Sequence, residues 1–94
     1  MGYATEYIAI SETSITRAPS NWTQSESATL PCAALTAWHA LIERGNLKPN
    51  QTVLTLGSGG VSLFAIQFAK SMGAKVISTS SSEVKCNKLK EMGA

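Results

Sequence analysis

The sequence predicts an α/β fold centred on two parallel strands joined by an amphipathic helix, and three observations carry that expectation. Thr52 to Leu56 is a short, β-branched, apolar run of the kind buried in a parallel sheet. A glycine-rich turn, GSGGVS, follows it and opens onto Val61, Phe64, Ala65, Phe68, Ala69 and Met72, spaced as one buried helix face. Gly73 then reads as a left-handed helix cap, after which Lys75 to Ser80 is a second strand.

From the N-terminus, Tyr3 to Ile10 mixes β-branched and aromatic residues with small and polar ones and reads as a strand whose partners lie elsewhere. SETSITRAPSN is polar, contains a proline and is a connector. Thr23 and Glu26 have the spacing of a capping box, so a helix begins there. Pro31, without an N–H, breaks or restarts that helix.

Cys32 to Arg44 carries a stripe of Leu35, Trp38 and Ile42, joined by Ala34, Ala37 and Leu41, and Gly45 stops it. NLKPNQ is a turn into the first strand. On the helix from about Gly60 to Met72, Leu63 and Ile66 lie off the buried stripe, which predicts a further neighbour over them in the complete protein. Ser80 to Ser82 offer N-caps for a last helix ending near Met92, with Gly93 as its cap.

Composition excludes several function classes. A net charge of +2 with scattered basic residues predicts neither a nucleic-acid partner nor a membrane surface. No apolar run approaches the roughly 20 residues of a membrane span, and MGYATEYIAISETS has no signal-peptide character, so a cytoplasmic address is expected. The sequons at Asn21 and Asn50 are read as chance matches for that reason. Cys32 and Cys86 lack CxxC spacing, which predicts neither a disulfide framework nor a self-contained metal site.

The turn carries the chemistry. Gly57 permits the sharp bend off the strand, and Gly59 lets backbone approach a pyrophosphate with no Cβ in the way. Ser62 stands at the third position, where a small residue allows helix and strand to pack closely. The N–H groups of Gly60 and Val61 then sit at the positive end of the helix dipole, where a diphosphate is best stabilised. With Ser58 between the glycines, this is the first βαβ of a doubly wound parallel sheet, a partial Rossmann fold, opening on a nicotinamide dinucleotide.

About twenty residues beyond such a turn, an NAD-preferring chain carries Asp or Glu for the ribose 2′-hydroxyl. Here Ser78-Thr79-Ser80-Ser81-Ser82 brings no carboxylate before Glu83, so Ser80, Ser81 and the Lys85 ammonium are candidates to hold a 2′-phosphate. NADP is favoured, with NAD as the other possibility.

ATLPCAALTAWHAL, LKPNQTVLTLGSGGVSLFAIQFAKSMGAKVISTSSSEVK and KLKEMGA, in that order, resemble the medium-chain dehydrogenase/reductase superfamily in its zinc-type alcohol dehydrogenase-like and quinone oxidoreductase-like branch. The resemblance implies hydride transfer between nicotinamide and a carbonyl, alcohol or activated alkene. It implies that Thr36 lies near the nicotinamide and that Ser80 stands where NAD-preferring members place their acidic residue.

Residues 1–22 would then be a remnant of a GroES-like catalytic domain with its connector. Residues 23–51 would be linking helices, and 52–94 the first half of the nucleotide domain. Cys32 falls where zinc-containing members have one of three catalytic ligands, but one ligand is not a site. Zinc is not expected, Cys32 is read as a buried small side chain, and His39, without a carboxylate partner nearby in sequence, as structural.

No residue of this stretch is expected to be catalytic. The parent protein would bind a small-molecule substrate and form a homo-oligomer. The alternative is a catalytically inactive remnant that binds a nucleotide or a partner. Two strands with open edges predict marginal independent stability.

Overall fold

The computed structural model describes residues 2–94. Its frame is a two-stranded sheet of β1 (Thr52–Leu56) and β2 (Lys75–Thr79), paired parallel with Val53 opposite Val76 and Thr55 opposite Ser78. Parallel strands cannot be joined by a tight turn, so the chain must cross back over the sheet. The 12-residue α3 (Gly60–Ser71) makes that crossing.

At its C-terminus the Gly73 N–H donates to Lys70 and the Ala74 N–H to Ala69 across a left-handed Gly73, φ +75°. This is a Schellman ending, and it delivers the chain into β2 where the sequence places the second strand. α4 (Glu83–Glu91) ends the same way, with Gly93 at φ +115° and the Ala94 N–H on Leu89.

Upstream, α1 (Gln24–Ser27) begins with the expected capping box: Thr23 Oγ1 accepts from the Glu26 N–H, and Glu26 Oε1 accepts from the Thr23 N–H. Those Thr23 hydrogen bonds, the backbone one first, hold the Glu26 carboxyl below its ordinary range. Residues 30–44 form a second helix, α2, that runs on beyond Pro31 with wide turns at both ends, Leu30–Ala34 and His39–Arg44. Proline lacks the N–H an α-turn uses, and the wider turn accommodates it. The helix does end at Gly45, though not by a left-handed glycine: Gly45 has φ −79°, and Asn46 has φ +47°. A Cβ on Gly45 would stand 2.7 Å from the Ala40 carbonyl oxygen, so crowding is what demands glycine there.

The core lies on one face of the sheet. Leu47, Val53, Ile66, Ala69, Ala74, Val76 and Leu89 form one buried cluster, with Leu41, Ile42, Leu63 and Met72 packed against it. Thr55, also buried, satisfies its hydroxyl with Ser78 Oγ at 2.6 Å across the strands.

Four expectations need correction. Ile66, placed off the buried stripe of α3, is fully buried, and Val61 from that stripe is exposed. The reason is that α3 is covered on two sides. Ile66 and Ala69 join the strand residues in the core, while Phe68 meets Trp38 of α2 edge-on, ring centroids 5.4 Å apart. Leu35, counted in the α2 stripe, is 62% exposed.

The strands are buried on one face only, since Leu54, Leu56 and Ile77 are exposed. Tyr3 to Ile10 forms no strand: the segment bends at Thr5, whose hydroxyl donates to the Tyr7 carbonyl. A strand needs a neighbour for its backbone N–H and C=O groups, and no described residue pairs with this one. Among the described residues no helix is long and apolar enough to cross a membrane.

Burial separates the two faces energetically. Ile66→Ala is expected to cost about 2–5 kcal/mol by removing fully buried volume. Leu54→Thr on the open face should stay within about 0.5 kcal/mol. Urea unfolding of both variants checks the contrast.

Candidate functional site

The parallel crossover places the N-terminus of α3 at the C-terminal end of β1, and the glycine turn connects them. Gly57 is at φ +82°, a conformation that side-chain-bearing residues rarely adopt, and no atom lies within 4 Å of where its Cβ would be. Its N–H donates to the Thr79 carbonyl at 3.0 Å and lies 3.3 Å from Thr79 Oγ1. One residue therefore ties the turn to the end of β2, beside Ser80. Ser58 is half-buried within the turn.

Gly59 is the N-cap of α3 and provides no side-chain cap. By contrast, Thr23 caps α1 and Ser82 caps α4 with hydroxyl oxygens. The first amide of α3 bonded within the helix is that of Leu63, to the Gly59 carbonyl at 3.0 Å. The preceding N–H groups of Gly60, Val61 and Ser62 point along the positive end of the helix dipole. All of Gly59, Gly60 and Val61 are exposed. A Cβ at Gly59 would meet nothing within 4 Å, so a ligand oxygen can approach this backbone. Gly60 serves packing instead: its Cβ would lie 3.4 Å from Ala33 Cβ on α2.

Ser62 adds a bond that glycine cannot make. Its hydroxyl donates to the Leu56 carbonyl at 2.9 Å, from the first turn of α3 back to the last residue of β1.

At the other end of the site the three serines divide their roles. Ser82 caps α4, its Oγ accepting from the Lys85 N–H at 3.3 Å. Ser80 Oγ has no hydrogen-bond partner although the atom is out of contact with solvent. A buried hydroxyl without a partner is costly, so Ser80 gains by turning toward any acceptor brought to the strand end. Ser81 and Lys85 are exposed, and Lys85 stands in the first turn of α4, immediately beyond. The region thus offers free amides at one strand end and hydroxyls with an ammonium at the next, and no carboxylate precedes Glu83.

Thr36 lies on α2, exposed, with its hydroxyl donated to the Cys32 carbonyl at 2.7 Å. The structure does not join it to the turn by any hydrogen bond. Cys32, expected to be buried, is exposed, within the wide turn Leu30–Ala34 at the start of α2. His39 is exposed as well. A catalytic zinc takes three protein ligands, and the described residues contain no group of three or more His, Cys, Asp or Glu that could hold a metal ion. The described residues alone therefore do not form a zinc site. Sequence reasoning did not single out Thr79, whose carbonyl and hydroxyl receive the Gly57 N–H; only the strand register brings them together.

Comparison with known proteins bears on this arrangement. Residues 60–94 match the family model described as zinc-binding dehydrogenase. A zinc-type alcohol dehydrogenase-like protein of Schizosaccharomyces pombe is 46% identical over 91 residues, 95% of this chain and 26% of that protein. Among solved structures, an NAD-dependent alcohol dehydrogenase superposes with a TM-score of 0.77 at 39% identity, over 84% of this chain and 23% of that one. The quinone oxidoreductase of Escherichia coli complexed with NADPH superposes with a TM-score of 0.74 at 28% identity, over 84% of this chain and 24% of that one. The chain therefore spans about a quarter of the length of the proteins it matches.

The first two glycines of the turn should respond differently to a methyl group. Gly57→Ala is expected to lose about 1–2 kcal/mol of stability, because φ +82° strains an L side chain. Gly59→Ala, with φ −78° and open space around it, should not lose stability and can gain up to about 1 kcal/mol. Urea midpoints of the two variants measure this.

Proposed function

Because the chain belongs to the medium-chain dehydrogenase/reductase superfamily, in its alcohol dehydrogenase-like and quinone oxidoreductase-like branch, we propose that residues 52–94 hold a nicotinamide dinucleotide, with NADP preferred. The parent activity is then hydride transfer between nicotinamide and a carbonyl, alcohol or activated alkene. Residues 1–22 belong to the end of the catalytic domain with its connector, and 23–51 link it to the nucleotide domain. The observation that carries this reading is the uncapped N-terminus of α3, exposed at the end of β1 beside an end of β2 that bears serines and no carboxylate.

Each residue has a role in binding. The amides of Gly60 and Val61, with Gly59 leaving the approach open, stabilise the diphosphate through direct hydrogen bonds and the helix dipole. The turn from Gly57 through Ser58 to Gly59 sets the direction of those amides, and its tie to Thr79 keeps the adenosine end in register with the phosphates. Ser80 and Ser81 offer hydroxyl donors to a 2′-phosphate, and Lys85 supplies charge to it. Thr36 lies on the helix that the family places toward the nicotinamide, and its oxygen retains acceptor capacity. Bound nicotinamide supplies the hydride acceptor or donor, and the substrate contacts are proposed to lie in the parent protein beyond these elements.

The preference for NADP rests on charge. A carboxylate at the strand end would repel a 2′-phosphate, whereas the neutral Ser80 hydroxyl does not repel it and can donate to it. The relatives include one described as NAD-dependent and one complexed with NADPH, so the residues of this chain carry the argument.

Calorimetry of the protein with each cofactor is expected to give an affinity for NADPH at least about tenfold above that for NADH, about 1.4 kcal/mol. Equal affinities would remove the role assigned to Ser80 and Lys85. A carboxylate in the open approach at Gly59 would occupy the diphosphate position itself. Gly59→Asp should therefore abolish binding of both nucleotides while circular dichroism stays unchanged, and retained affinity would mean the turn only packs.

A further inference from the structure

Building on the dinucleotide site proposed above, we propose that Ser62 is a positioning residue: its hydroxyl braces the glycine turn so that the amides of Gly60 and Val61 keep the direction a diphosphate needs. Two tethers bound the turn. At its start the Gly57 N–H is held on Thr79, 3.0 Å from the carbonyl, and at its end Ser62 Oγ donates to the Leu56 carbonyl at 2.9 Å. The amides proposed to face the diphosphate, those of Gly60 and Val61, lie between them.

That segment has little else to hold it. Gly57, Gly59 and Gly60 bring no side-chain contacts of their own, Gly59 provides no cap, and Val61 is 42% exposed. Glycine backbone has the most conformational freedom to lose, so amides on such a segment bind weakly unless something fixes them beforehand. The Ser62 bond fixes the first turn of α3 against the last residue of β1, which the sheet in turn holds rigid. A glycine at this position packs as well but cannot form that bond.

A direct contact from the Ser62 hydroxyl to phosphate is the competing role, and the geometry disfavours it. A hydroxyl has one proton to donate, and here Leu56 takes it. Phosphate oxygens are acceptors, so the remaining lone pairs of Oγ offer them nothing. Bonding to phosphate would break the brace.

Ser62→Ala and Ser62→Thr separate the possibilities, the second retaining a hydroxyl on a stiffer side chain. Amide hydrogen exchange without nucleotide is read at Gly59, Gly60 and Val61, and calorimetry measures affinity for NADPH and for adenosine 2′-monophosphate, which lacks the diphosphate bridge. Ser62→Ala is expected to speed exchange at these amides and to weaken NADPH about three- to tenfold. It should leave adenosine 2′-monophosphate within about twofold, and Ser62→Thr should restore NADPH. Unchanged exchange in Ser62→Ala overturns the brace. Equal losses for both ligands, not rescued by threonine, overturn it in favour of a general packing role. Should the unaltered protein bind neither ligand, the dinucleotide reading fails, and the exchange comparison still decides the brace alone.

Discussion

The parallel pairing of β1 with β2 is the constraint on which the rest of the structure depends. Two strands running the same way require a connection that returns over the sheet, and α3 is that connection. Its C-terminus must then lie at the start of β2 and its N-terminus at the end of β1. The free amides of α3, the Gly57 bend and the end of β2 are brought to one edge by topology before any ligand is considered. Covering α3 on two sides, by the sheet and by α2, fixes its position: Ile66 is fully buried toward the strands, and Phe68 meets Trp38 on the other side.

Much of this was legible in the sequence, for identifiable physical reasons. β1 and β2, the glycine turn, both Schellman endings and the Thr23–Glu26 capping box are local: each depends on residues within a few positions of one another, and each has its own chemistry. Thr23 and Glu26 could be paired from spacing alone because the box is reciprocal over three residues. Gly73 and Gly93 mark helix ends because only a residue without a Cβ adopts their positive φ cheaply.

What was not legible was set by neighbours. Periodicity puts Ile66 off the main stripe of α3 because a helical wheel finds the densest apolar face, and α3 has two partners rather than one. The same limit applies to Tyr3–Ile10, whose composition suits a strand but which has no strand beside it, and to Cys32, which no described neighbour covers. At the site, the bond from Gly57 to Thr79 spans two strands and follows only from their register. Whether Ser80 or Ser82 caps α4 was likewise undecidable from a run of three serines. In the fold Ser82 provides the cap, and Ser80, two residues before it, keeps the free hydroxyl.

That separation bears on how the site can discriminate between ligands. Ser82 spends its oxygen on the Lys85 amide and so fixes the first turn of α4, which sets the base of the Lys85 side chain. Ser80, two residues earlier, is left with an unpaired hydroxyl. A protein at rest gains nothing from a buried hydroxyl without a partner, and folding alone would favour alanine at that position. The cost is recovered only if an acceptor arrives from outside the chain. A 2′-phosphate brings three acceptor oxygens and negative charge, whereas a ribose hydroxyl brings one weaker acceptor and no charge. In the proposed site, Ser80 and Lys85 would act on the same ligand group, and a single hydroxyl on the ribose would leave most of their capacity unused.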